Sequence, residues 1–230
     1  MQLSDRLIKI ASMVGSGLVV ADVGTDHGYV PIALAGEKKS PRVIAMDVNR
    51  GPLKRAADNI EAAGLSDFIE LRLGDGLEKL KPGEAECIVV AGMGGLLIKR
   101  ILTDGIKAVA SSKELVLSPQ SDIMEVRRFI ADNGFMISEE AMLIEEGKYY
   151  TVIKAVKGSE STYSDVELKF GRRLLESKDL VLKKYLLKEK MQYGRIFASL
   201  KNSMSDALLK RISEINLELE HIEEALTYYE

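Results

Sequence analysis

Four stretches of the 230-residue chain place carboxylates or clustered glycines where apolar runs end. Asp22-Val23-Gly24-Thr25-Asp26-His27-Gly28-Tyr29 follows the apolar run 18–21, and Asp47 closes the run 42–46. Gly74-Asp75-Gly76 follows 68–73, and Gly92-Met93-Gly94-Gly95 follows the wholly apolar 87–91. A carboxylate at such a point accepts hydrogen bonds from an amine or a diol, and glycine lets the backbone approach a ligand closely. A dinucleotide site would present backbone amides to a pyrophosphate here, through G-x-G-x-x-G. This chain has Gly24-x-x-x-Gly28 flanked by Asp22 and Asp26 instead. That turn suits a cationic ligand with an amino group and no phosphate. The plain alternative is a tight turn with no ligand.

S-adenosylmethionine fits the description. Asp47 falls where Rossmann-like folds put an acid on ribose hydroxyls, and Asp75 can accept from the exocyclic amine of an adenine. Asp75 as a turn or helix-cap residue is the other reading. Three glycines in the four residues 92–95 are costly in chain entropy unless something approaches closely, so this turn reads as the floor of a substrate site. Close strand-to-helix packing would also explain it. The two histidines, His27 and His221, lie far apart, and the one cysteine, Cys87, sits in an apolar strand pattern. No metal is expected, and the thiol reads as packed and inert.

The elements that must position these residues follow from periodicity. Residues 4–14 read as a helix capped by Ser4, with Arg6 on its polar side. Strands over 18–21, 42–46, 68–73, 87–91 and 114–117 alternate with helices over 30–35, 52–63, 96–102 and 122–131, the last capped by Ser121 or Asp122. Two further strands, 135–145 and 148–157, turn at Glu146-Gly147. The result is an α/β chain with a seven-stranded, mostly parallel sheet ending in an antiparallel hairpin. That layout resembles the class I, Rossmann-like methyltransferase fold. No apolar run approaches the ~20 residues of a membrane span. Ser4, Asp5, Arg6 and Lys9 interrupt any signal-peptide core, and one cysteine suits a reducing compartment. The expected location is cytoplasmic, with no membrane partner.

Residues 158–164 form a polar linker, giving expected domains over 1–160 and 161–230. Asp179 caps a helix to about residue 201, 202–205 turn, and Asp206 opens a second helix. Leu208, Ile212, Ile215, Leu219, Ile222 and Leu226 recur at steps of four and three, facing a looser seam of Leu182, Leu186, Tyr193, Ile196 and Leu200. The two helices are expected to zip into a coiled-coil-like hairpin within a monomer. The net charge of −3 says nothing for nucleic acid, but ten basic residues fall between Lys169 and Lys201 against Glu176, Asp179 and Glu189. Such a run is the footprint expected for a phosphate backbone; salt bridges to the acidic last helix are the alternative.

Leu3-Ser4-x-Arg6-Leu7, Asp22-Val23-Gly24-Thr25-Asp26-His27-Gly28-Tyr29, Asp47-Val48-Asn49, Gly74-Asp75-Gly76, Ala91-Gly92-Met93-Gly94-Gly95 and Ser118-Pro119-Gln120 together resemble the bacterial tRNA (adenine-N1)-methyltransferases of the TrmK type. The resemblance spans the whole chain. It implies S-adenosylmethionine as methyl donor and adenosine 22 of the tRNA D-arm as target. It places the cofactor against Asp22, Gly24, Thr25, Asp26, His27, Gly28, Asp47, Val48, Asp75, Gly76, Gly92 and Met93. The tRNA would meet Arg6, Gly94, Gly95 and Pro119, with Lys183, Lys184, Lys188 and Arg195 from the basic run.

Adenine N1 carries a free lone pair at neutral pH, so its methylation needs no strong base. In-line positioning is the main contribution open to a protein, up to ~7–11 kcal/mol. Asp26 is the candidate for stabilising the cationic product base, with His27 and Tyr29 shaping the pocket and Tyr29 able to stack on an extruded adenine. The Asn/Asp-Pro-Pro-Tyr signature of exocyclic-amine methylation is missing after the fourth strand, which favours a ring nitrogen. Alternatives are an rRNA, protein or small-molecule acceptor, and a non-catalytic protein that associates through its helical hairpin. Retention of Asp22, Asp47 and Asp75 together argues against a dead site.

Overall fold

The computed structural model describes residues 3–200 and 206–230. The turn expected over 202–205 and Lys201 lie outside them, and for Leu200 and Leu208 the description covers the backbone alone. The chain divides into two compact units, residues 1–160 and 161–230.

In the first unit Ser4 caps α1 (Asp5–Met13), its hydroxyl accepting from Leu7 N. There follow β1 (Val20–Val23), α2 (Tyr29–Gly36), β2 (Val43–Asp47), α3 (Arg50–Ala62) and β3 (Ile69–Leu73). Next come β4 (Cys87–Met93), α4 (Gly95–Asp104), α5 (Ile106–Ser111), β5 (Glu114–Pro119) and α6 (Ile123–Asp132). The unit ends with β6 (Phe135–Glu145) and β7 (Lys148–Lys157). The strands form one sheet in the order β3-β2-β1-β4-β5-β7-β6. All neighbours are parallel except β7, which runs antiparallel to both β5 and β6. This is the expected seven-stranded Rossmann-like methyltransferase fold. Every residue of β1, β2 and β5 is buried, as strands covered on both faces require. Chain order reverses between β1 and β4, so the ligand crevice of such a sheet opens beside their carboxyl ends.

Three local expectations change. The fourth strand does not stop at Ala91: it continues through a bulge between Ala91 and Met93, and Met93 pairs with Pro119. The helix therefore opens at Gly95, after the strand has carried Gly92 and Met93 past the sheet. Asp122 precedes α6 as its N-cap in a left-handed conformation with no side-chain cap bond; its carboxylate accepts from Ser121 Oγ at 2.6 Å instead. The short α5 was hidden by its brevity and by Gly105. Deep in the unit, Arg127 and Glu140 form an ion pair at 2.8 Å, with both side chains almost wholly buried.

The second unit holds α7 (Asp165–Phe170), α8 (Arg172–Glu176), α9 (Leu180–Leu200) and α10 (Asp206–Thr227). Ser164 and Glu167 form a reciprocal capping box on α7. Asp179 Oδ1 accepts from Val181 N and Leu182 N at the start of α9. Helices α9 and α10 pack together. Leu182, Leu186, Ile215 and Ile222 of the expected seam are buried, and Ile212, Leu219, Leu226, Tyr193 and Ile196 are partly so. Among the described residues, no helix is long and apolar enough to cross a membrane.

Candidate functional site

The turn after β1 is built around its backbone. Gly24 takes a left-handed φ of 76°, and Gly24 N and Thr25 N both donate to Met46 O, at 2.8 and 2.9 Å. Asp26 is also left-handed, with φ 47°, a conformation non-glycine residues adopt at a cost. Gly28 caps α2 with φ 74°, and a Cβ there would press on Ala56 of α3 at 3.2 Å. Gly24 thus bends the chain, and Gly28 lets α2 and α3 meet.

The acids arrive from successive strands. Asp22 lies on β1 and is 5% exposed; burial pushes its carboxyl up to about 6, with Thr25 opposing the shift and Asp47 adding to it. Asp47, at the end of β2, holds two loops. Its Oδ1 accepts from Asn49 N at 2.8 Å and its Oδ2 from Asp26 N at 3.2 Å. Asp75 stands exposed after β3, 3.4 Å from Arg100 of α4. Asp26 turns its carboxylate to Arg55 of α3 at 3.0 Å and to His27 Nε2 at 3.5 Å. The His27 and Tyr29 rings stack at 5.3 Å with 12° between planes.

One cleft of about 580 Å³ gathers these groups at the carboxyl ends of the strands. Asp22, Gly24, Thr25, Asp26, His27, Tyr29, Asp47, Val48, Asp75, Gly76, Gly92, Met93 and Arg6 all line it. Gly28, Gly94, Gly95 and Pro119 do not line it. Added side chains at Gly94 and Gly95 would meet Ser121 Oγ and the Ser121 carbonyl, so both glycines let α4 start against the chain entering α6. Pro119 is buried in the β4–β5 pairing. Lys183, Lys184, Lys188 and Arg195 all belong to α9, in the second unit. There Lys184, Lys188 and Arg195 are exposed, and Lys183 Nζ lies 5.5 Å from the centre of the Tyr229 ring. Lys190 and Lys169 of the basic run pair with Glu223 and Glu218.

The charge of the cleft is divided. Acids occupy the ends of β1, β2 and β3. The wall by β4, β5 and α1 carries Gly92, Gln120 and Arg6 instead. Arg6 is held by the hairpin. Glu145 Oε1 accepts from Arg6 N at 3.2 Å, Glu145 Oε2 lies 3.8 Å from Arg6 Nε, and the Tyr150 ring centre lies 5.1 Å from the guanidinium carbon. Arg6 Nε is buried without a hydrogen-bond partner among the described residues. Arg6 is therefore no solvated helix charge. Asn49, Arg100 and Gln120 line the cleft without having been singled out for the site. Gln120 carried the available signal, since it directly follows a strand end. Arg55, Glu145 and Tyr150 reach the site through tertiary packing and leave no mark in the motifs.

Among the described residues, no group of three or more His, Cys, Asp or Glu side chains is arranged to hold a metal ion. Cys87 is buried in β4, and burial pushes its thiol well above the ordinary range.

A family model described as a methyltransferase domain matches residues 3–153. The tRNA (adenine(22)-N(1))-methyltransferase of Bacillus subtilis is 36% identical over 172 residues, 74% of this chain and 72% of that protein. The crystal structure of the B. subtilis m1A22 tRNA methyltransferase TrmK superposes with a TM-score of 0.89 at 29% identity, covering 98% of this chain and 99% of that one. M. capricolum TrmK in complex with S-adenosyl-homocysteine gives 0.87 at 25% identity, with 99% of each chain covered. By the domain matched and by its likeness to the B. subtilis enzyme, the chain belongs to the tRNA (adenine(22)-N(1))-methyltransferase family.

Proposed function

We propose that this protein methylates N1 of adenosine 22 in the D-arm of tRNA. The observation that carries the reading is the divided cleft, with Asp22, Asp26, Asp47 and Asp75 on one side and Arg6 and Gln120 on the other. The donor is S-adenosylmethionine, and the residues present fit it. Asp22 is a buried carboxylate with no cation beside it among the described residues, and a ligand ammonium would supply that partner. Asp47 keeps its carboxylate in the cleft, held by the backbone of two loops, and a rigid acceptor suits a ribose diol. We assign Asp75 to an exocyclic adenine amine, with Val48 and Gly76 flanking; all three line the cleft. Thr25, Gly92 and Met93 complete the wall.

When bound, S-adenosylmethionine supplies an electrophilic methyl group. The chain's own work is to bind and orient. Asp26, with His27 and Tyr29, faces the cleft from the β1 turn, where a carboxylate stabilises positive charge gained by the base. The stacked His27–Tyr29 pair offers a flat surface for an unstacked adenine. Arg6 serves the tRNA side, and Lys183, Lys184, Lys188 and Arg195 supply phosphate contacts from α9. We assign residues 1–160 to catalysis and 161–230 to RNA binding, in a cytoplasmic monomer. The test is methyl transfer to an unmodified tRNA transcript, followed by nucleoside mapping. 1-Methyladenosine at position 22 is expected; methyl groups found at another site or only on protein refute the reading.

A further inference from the structure

If N1 of the target adenine attacks the methyl group, the base cannot be recognised through N1. Apart from the lone N3 acceptor, the in-plane edge left to it is N6–H and N7, one donor beside one acceptor. The group that reads this edge must accept and donate at adjacent positions. A carboxylate only accepts, and a guanidinium only donates. A carboxamide does both, and it pairs bidentately with adenine N6 and N7.

The cleft holds one such group on its non-acidic wall. Gln120 follows β5 directly, and its backbone N donates to Met93 O at 2.9 Å. The β4–β5 ladder therefore fixes it beside Gly92 and Met93, one strand from the switch point between β1 and β4. Gln120 lines the cleft and is exposed, and its carboxamide makes no hydrogen bond among the described residues. Asn49, the other carboxamide lining the cleft, follows β2 on the acidic side. Next to Gln120 on the substrate wall, a Cβ at Gly92 would lie 3.6 Å from Arg6 Nη1, so the absent side chain leaves the guanidinium open to the cleft. Glu145 and Tyr150 hold Arg6 from behind, which suits it to a phosphate or a base face and leaves it unable to accept from N6–H.

We infer that Gln120 is the residue that selects adenine, its Oε1 accepting from N6–H and its Nε2 donating to N7 while N1 stays free. The inference rests on the ring-nitrogen methylation proposed above. Guanine reverses the edge at position 6, presenting an acceptor to the Gln120 carbonyl, and is rejected.

The test is a double-substitution cycle on the full chain. Single-turnover rates are measured for the native protein and Gln120→Ala, each with unmodified tRNA and with tRNA carrying 7-deazaadenosine at the methylated position. The analogue keeps N1 and N6 and replaces N7 by C–H. The cycle cancels the change in N1 basicity, which both proteins meet equally. Loss of one base-edge contact should slow Gln120→Ala on native tRNA by about 10- to 100-fold. The ratio of native to analogue rate should be at least ~10-fold larger for the native protein than for Gln120→Ala. S-adenosylmethionine affinity, measured by calorimetry, should be unchanged in the variant. Equal ratios in the two proteins overturn the assignment, as does an unimpaired Gln120→Ala. If the native protein methylates tRNA at a position other than an adenine ring nitrogen, the parent reading falls, and this one with it.

Discussion

Arg55 Nη2 donates to Asp26 Oδ1 at 3.0 Å, so the catalytic candidate of the β1 turn is tied to helix α3. The pair is half exposed on both sides, and the arginine offsets part of the carboxylate's field. A preorganised charge in a dry site contributes about 10²–10³ in rate. Asp26→Asn should therefore lower the single-turnover rate less, by about 10- to 100-fold. The cofactor dissociation constant should stay near its native value. Rapid-quench kinetics with parallel calorimetry separate the outcomes: equal losses in rate and affinity would assign Asp26 to ground-state binding.

Asp22 makes cofactor binding depend on pH. Its carboxyl sits at about 6 in the folded chain, and an ammonium partner lowers it. Below pH 6 the ligand must first expel a proton, so affinity should fall about tenfold per unit as pH drops further. Asp22→Asn should bind weakly and lose this slope below pH 6.

The same carboxyl weakens the ligand-free fold. Its folded value of about 6 lies above the ordinary 3.8, so the folded state holds its proton more tightly than the unfolded chain does. Stability attributable to Asp22 is thus present below pH 4 and lost as pH rises through 6. The shift corresponds to about 3 kcal/mol at most, at roughly 1.4 kcal/mol per unit. Asp22→Asn should raise the ligand-free stability at pH 7 by an amount up to this, measured by urea unfolding. An Asn variant less stable than the native chain would contradict the buried-charge account.

Asp47 binds the turns as well as the proposed ribose. Asp47→Ala should weaken S-adenosylmethionine binding and also lower stability, by about 1–2 kcal/mol, because two backbone N–H groups lose their acceptor. Asp47→Asn keeps one acceptor oxygen and should restore more of the stability than of the affinity. Calorimetry and thermal unfolding on the two variants check both halves.

On α9, Lys184→Glu combined with Arg195→Glu should weaken tRNA binding without changing cofactor affinity. Each lost phosphate contact should flatten the plot of log affinity against log salt by about 0.7–0.9. An unchanged slope would move the RNA surface elsewhere.

The parts of the fold fixed by local pattern were legible in the sequence. Apolar runs ending at Asp47 and at the Gly74–Gly76 turn marked strand ends, and strand ends in this topology are where the cleft forms; β1 starts and ends two residues later than the expected 18–21, so Asp22 lies within it. The hairpin of β6 and β7 was legible from its alternation and its Glu146-Gly147 turn. What failed to show were relations between distant segments. Gly94 and Gly95 look like ligand glycines until α6 is packed against α4. Arg6 looks like a solvated helix charge until Glu145 and Tyr150, more than a hundred residues away, close on it. The bulge that carries β4 to Met93 depends on pairing with β5, which no local window contains.

Cys87 lies at the centre of the sheet with its thiol buried and its ionisation suppressed, and it is the chain's sole cysteine. The native protein is in effect silent to maleimide reagents, which react through the thiolate. A cysteine introduced at exposed Asp67 in the first unit, and another at exposed Gln192 in the second, would accept fluorophores with no native thiol to remove. The distance between the two labels, with and without added tRNA, becomes readable by energy transfer in an otherwise unaltered chain.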